Sequence, residues 1–120
     1  MHAIIHGPIK PDDIWTAFTT FAHTEGSTRF KVEECFLSHG KDVALIRCLV
    51  VERGFNKLFL VRAAAHPEGL HVGPDGLTPV ERTDGVRRLL GLIVWQILQS
   101  APETKLGATD LGSFIREPEV

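Results

Sequence analysis

The chain has 120 residues, of which 43% are hydrophobic and 23% are charged, and its 15 acidic and 13 basic side chains give a formal charge of −2. This composition is ordinary for a globular domain and excludes a disordered segment, a collagen-like fibre and a coiled-coil rod. The near balance of charge offers no basic surface for nucleic acid. The length corresponds to one domain, residues 1–120.

The sequence carries no feature of a secreted or membrane protein. Its two cysteines cannot form the disulfide framework of a small secreted scaffold. The first residues lack a basic segment followed by a long apolar one. The most apolar run, Leu89 to Leu98, would span only about 15 Å as a helix, half a bilayer. We therefore expect a soluble, cytoplasmic protein that does not contact membranes.

The first predicted element is a helix over residues 11–24, preceded by an N-terminal arm of residues 1–10. A proline and two aspartates begin the helix, which suits its positive end. Apolar residues then recur at helical spacing, and Gly26 follows as a stop. Within this stripe Trp15, Phe18 and Phe21 are expected in the core, with docking of a partner as the alternative.

The middle of the chain predicts an antiparallel meander. Apolar runs cover residues 29–37, 43–51, 58–65 and 70–72, and turns rich in glycine, proline and polar residues separate them. The run 43–51 is apolar at both odd and even positions, so we expect this strand to be covered on both faces.

A second helix is predicted from the cap Thr83-Asp84 to about Ser100. Its main apolar stripe is regular, but Leu92 and Trp95 project from the opposite side beside Arg88. A helix that carries large apolar residues opposite its main apolar stripe, on what we call its back, is expected to be covered on that side as well. The predicted cover, and hence a candidate interface at these three residues, is either the segment 105–115 or a second subunit. Residues 116–120 are expected to be a frayed tail.

These elements predict an α+β fold with an N-terminal helix, a three- to four-stranded antiparallel meander, a long C-terminal helix packed on the sheet and an irregular tail. Both helices would lie on one face of the sheet. Because the other face is also rather apolar, we expect a partner on it, most simply a second copy in a two-fold homodimer.

Searches for catalytic patterns point away from an enzyme. The chain has no phosphate-binding glycine loop, no Gly-x-Ser-x-Gly elbow and no Cys-x-x-Cys pair. Glu33 and Glu34 are adjacent and would point to opposite faces of a strand. The sequence predicts no catalytic residue, no cofactor and no metal site.

Histidine is frequent, and its positions raise two weaker alternatives. Of the six histidines, His66 and His71 flank one turn and could approach each other as metal ligands, but solvated turn residues are the more common case. Nucleophilic chemistry by Cys35 or Cys48 is also disfavoured, because both lie in apolar stretches.

The register of the meander suggests a candidate binding site. If its loops are centred near Gly40 and just after Gly54, Arg47 lies opposite Arg62, and Glu33 or Glu34 lies on its other side. Facing arginines repel unless an anion lies beside them. His71 could join this row. The alternative is a ladder of charged side chains on a partly solvated face, because a shift of one residue would move Arg47 to the other face.

Two functions follow as expectations. The first is a non-catalytic, dimeric protein-binding module, an adaptor or chaperone-like protein. The second is a binding protein or enzyme for a small anionic ligand, held by Arg47 and Arg62 with Glu34 and His71.

Overall fold

The computed structural model describes residues 1–120 as one seven-stranded antiparallel sheet, curved into a half-barrel, with two helices. The strand order is β2-β3-β4-β5-β6-β1-β7. The strands are β1 (Ala3–His6), β2 (Phe21–Glu25), β3 (Thr28–Leu37), β4 (Val43–Glu52), β5 (Phe55–His66), β6 (Gly69–Pro74) and β7 (Lys105–Thr109), and the helices are α1 (Pro11–Ala17) and α2 (Asp84–Ser100). No helix combines the length and the apolar character needed to cross a bilayer.

The predicted architecture, a three- to four-stranded meander between two helices with an arm and an irregular tail, is wrong. The helix predicted over residues 11–24 ends at Ala17 in the structure, and residues 21–24 belong to strand β2. The predicted arm, residues 1–10, contains β1, and the segment 105–115, predicted to be irregular, contains β7. Strand β1 pairs with both β6 and β7, so the two ends of the chain complete the sheet.

The elements in the middle of the chain lie close to where their patterns place them. Strands β3 to β6 overlap the four predicted runs and pair in antiparallel order. The β4–β5 hairpin turns through Arg53 and Gly54, whose φ angles are 53° and 79°. Positive φ at both central residues is the geometry of a type I′ turn, which matches the twist of the two strands.

Thr83 caps the N-terminus of helix α2, and the carboxylate of Glu52 in turn binds Thr83 and the first turn of the helix. The Thr83 hydroxyl accepts the Val86 backbone N–H at 3.2 Å and donates to the Glu52 carboxylate at 2.6 Å. The same carboxylate accepts the Gly85 N–H at 2.9 Å. Burial raises the pKa of Glu52, but hydrogen bonds from Thr83, Gly85 and Lys57 outweigh it and hold the pKa below its usual value. These bonds fix the start of α2 to the end of β4.

One core lies between the inner face of the sheet and the helices. Alternate residues of β4 point into it, and none of Ala44, Ile46, Cys48 and Val50 is more than 3% exposed. Leu89, Leu90 and Ile93 of α2 meet them from the other side. The alternation sends the intervening residues of β4 to the outer face of the sheet.

Candidate functional site

The outer face of strands β3, β4 and β5 is apolar and open. Cross-strand pairs place Phe36 beside Leu45, and Leu49 beside Leu58. Phe36 and Leu58 are 48% and 62% exposed. Because neither helix lies on this side, these side chains form a continuous patch, which we call the outer patch: Phe36, Leu45, Leu49, Leu58 and Leu60, with the charged residues among them.

The charged residues of the outer patch have mixed sign. Arg47 is paired in register with Glu34, and its Nε lies 3.7 Å from Glu33 Oε1. The register shifts between Val32 and Glu34, so that two glutamates flank one arginine. The predicted pairing of Arg47 with Glu33 or Glu34 is therefore confirmed.

The predicted opposition of Arg47 and Arg62 is wrong. Arg47 lies opposite Leu60, and Arg62 lies opposite Leu45. The hairpin is centred between Arg53 and Gly54, one position earlier than the predicted centre, which shifts every partner on β5 by two residues. A shift of two keeps both arginines on the same face, as diagonal neighbours rather than a facing pair.

His71 lies two strands from Arg47, on β6. It pairs with Ala64 on one side and Ile4 on the other, and its ring stacks on His2 with the ring centroids 5.6 Å apart. Burial lowers the pKa of His71, and the neighbouring His2 lowers it further. A histidine that is neutral near pH 7 adds no positive charge to the arginines.

The back of helix α2 is covered by the chain itself. Leu92 and Arg88 are 1% and 4% exposed. Arg88 donates to the backbone oxygens of Phe114, Arg116 and Glu117 at 2.8–3.0 Å. Of the two covers that the sequence leaves open, the structure has the C-terminal segment over Arg88, and Leu92 is buried within the same chain.

The guanidinium of Arg88 also forms a bidentate ion pair with Glu25. Arg88 Nε and Nη2 each lie 2.8 Å from one carboxylate oxygen. The Arg88 hydrogen bonds, with further ones from the Glu119 amide and His23, outweigh burial and lower the pKa of Glu25 to about 2. All five N–H groups of Arg88 are satisfied, so this network holds strand β2, helix α2 and the C-terminal segment together.

The third predicted interface residue, Trp95, lines a cavity between α1, α2 and the sheet. The cavity has a volume of about 660 Å³, and 11 of its 17 lining residues are hydrophobic. Phe18 and Phe21 line it as well. Sequence reasoning missed the cavity because it placed both phenylalanines on one continuous helix, where they would fill a core.

The residues of the two weaker alternatives, a nucleophilic cysteine and a pair of metal-binding histidines, are not arranged as a site. Burial raises the pKa of Cys35 to about 11 and raises that of Cys48 further, so both thiols are protonated near neutrality. His66 and His71 lie on neighbouring strands, and no group of three or more potential ligands is arranged to hold a metal ion.

Comparison with protein-family models, with curated proteins and with solved structures found no match in any of the three.

Proposed function

We propose that this protein is a homodimeric protein-binding module, and that it associates through the outer patch. The observation that carries the proposal is the exposure of large apolar side chains at the centre of a sheet face, where Phe36 is 48% and Leu58 is 62% exposed. Contiguous exposed apolar surface of this kind marks interaction sites in single-domain proteins. Sheets also pack face to face readily, through interdigitating outward side chains.

The charges within the patch favour a second copy as the occupant. Glu34 and Arg62 lie on the same face, on the two strands that flank β4. A two-fold axis in the plane of the interface, midway between them, exchanges their positions. Each carboxylate then meets the guanidinium of the other subunit, while Arg47, which lies close to this axis on β4, keeps Glu33 of its own chain as its counter-charge.

Molar mass in solution tests the association. Light scattering after size exclusion should give twice the chain mass, and Leu58→Asp should give the mass of one chain, because it buries an unpaired charge. Leu106→Asp is the matched control, since Leu106 is 41% exposed on β7 at the far edge of the sheet. A wild-type protein that is monomeric at 100 µM, about the range of weak dimers, would overturn the proposal.

A charge exchange tests the two-fold arrangement separately. Glu34→Arg and Arg62→Glu should each weaken the dimer by about tenfold or more, because each places like charges together in the interface. The double variant should recover most of the loss. If the two single losses simply add, the dimer uses a different axis.

The anionic-ligand function is the competing outcome of the same measurements. It requires Arg47 and Arg62 to converge on one ligand, whereas Arg47 already has Glu33 at 3.7 Å. Stabilisation of a monomeric protein by phosphate or carboxylates, lost in Arg47→Ala, would favour it over the dimer. We propose a cytoplasmic location for the dimer, supported by two unpaired buried cysteines in the chain.

A further inference from the structure

The cavity between the helices and the sheet is built from five separate elements. Its apolar walls come from α1, β2, β3, β4 and α2, with Ile14, Phe21, Val32, Ile46 and Ile97 as their respective contributions. Its volume of about 660 Å³ lies inside the range of roughly 300–1,000 Å³ that is usual for small-molecule sites. The cavity opens to solvent at one side, where its lining residues Ala17, Thr19 and Gln96 are exposed, so a ligand can enter it.

The polar groups of the cavity are uncharged, with one exception. Gln96, Gln99 and Ser100, from the exposed side of α2, and Thr19, from the loop after α1, lie among the lining residues. The exception is Asp13, which is exposed to solvent and accepts the Lys10 backbone N–H at 2.9 Å. Asp13 is thus satisfied within its own helix turn.

We propose that this cavity binds an uncharged amphiphile, with its hydrocarbon part against the isoleucines and its polar head among the amides and hydroxyls. No lysine, arginine or histidine is among the lining residues, so a carboxylate or phosphate head would find no cation to pair with it. Asp13 would repel such an anion further. An alcohol or amide head, in contrast, finds both donors and acceptors in Gln96 and Gln99. This binding site is on the inner side of the sheet and does not depend on the proposed dimer.

Trp95 provides a direct readout, because it lines the cavity whereas Trp15 is 51% exposed outside it. In a Trp15→Phe protein, all tryptophan emission comes from Trp95. Titration with 1-decanol should shift this emission to shorter wavelength and saturate. 1-Octanol should bind about 15-fold more weakly, because two fewer methylenes are buried. Decanoate, with the same chain length as 1-decanol, should bind at least tenfold more weakly than the alcohol.

Two variants at exposed positions test where the ligand lies. Ala17→Phe and Thr19→Phe each add an aromatic ring to the lining with little risk to folding, since both residues are exposed. Each should weaken 1-decanol binding by tenfold or more, and Ala108→Phe, on exposed β7, should leave it unchanged. Saturable binding that neither lining variant affects, decanoate binding as tightly as 1-decanol, or no shift of Trp95 emission at all would each overturn the proposal.

Discussion

The ion pair between Glu25 and Arg88 should make stability depend on pH in the acid range, and Glu25→Gln isolates its contribution. The substitution keeps the shape of the side chain and one hydrogen-bond acceptor but removes the charge. Arg88 is only 4% exposed, so in the variant its guanidinium would be buried without a counter-charge. The C-terminal segment would keep its three backbone contacts to Arg88.

The magnitude follows from the pKa of Glu25, which lies at about 2 in the folded protein against an ordinary value of 4.5. Such a difference corresponds to about 3 kcal/mol at full strength, and screening near the surface reduces this to about 2 kcal/mol. Because the folded-state pKa is the lower one, the stabilisation is fully present above about pH 4.5 and is lost as the pH falls towards 2.

Urea unfolding of the wild type and of Glu25→Gln between pH 7 and pH 2.5 measures this contribution. The free energies of unfolding should differ by about 2 kcal/mol at pH 7, and this difference should shrink below about pH 4.5 to about a quarter of that value at pH 2.5. Asp110→Asn is the control: the pKa of Asp110 is also about 2, but its side chain is 52% exposed, so its loss should matter less. Parallel pH curves for the wild type and Glu25→Gln would refute the reasoning.

Two further predictions concern the interior. Gly85→Ala should lower the free energy of unfolding, measured in urea, by about 1–3 kcal/mol, because the new Cβ would lie 2.7 Å from the Glu52 carboxylate. Gly76→Ala is the control: a Cβ at this position meets no other atom within 4 Å, so the free energy of unfolding should change by less than about 0.5 kcal/mol. Cys35 and Cys48 should react with a disulfide reagent only after unfolding, because burial keeps both thiols protonated and shielded; rapid reaction of the native protein would contradict this.

The β4–β5 hairpin shows which features of the fold could be predicted from the sequence and which could not. The pattern locates both strands and the turn, because alternating apolar residues and Gly54 are local signals. The turn begins at Arg53, which adopts a positive φ of 53° that few arginines adopt. Residue preferences therefore do not predict a two-residue turn at Arg53 and Gly54. The one-residue error in the turn centre is what separates Arg47 from Arg62.

The ends of the chain show why the architecture was not predictable. Strand β1 has four residues, and β7 contains a glycine, so neither carries a strong local pattern. Both exist because β1 pairs with β6 on one side and with β7 on the other, across more than sixty positions of sequence. Strand β2 is not predicted for a different reason. Phe18 and Phe21 are three residues apart, a spacing that fits one continuous helix, whereas in the structure Phe18 follows the end of α1 and Phe21 begins β2.

Strand β4 connects the two proposals, because its successive side chains face opposite sides of the sheet. Ile46 lines the cavity, while Leu45 and Arg47 face the outer patch. The apolar character of both faces, which the sequence shows directly, therefore has two different causes in the structure. One face is covered by the helices of the same chain and leaves a cavity beneath them, and the other is left open. Only the open face, centred on β4, is left for the proposed second subunit, because the back of α2 at Arg88 is covered by the C-terminal segment of the same chain.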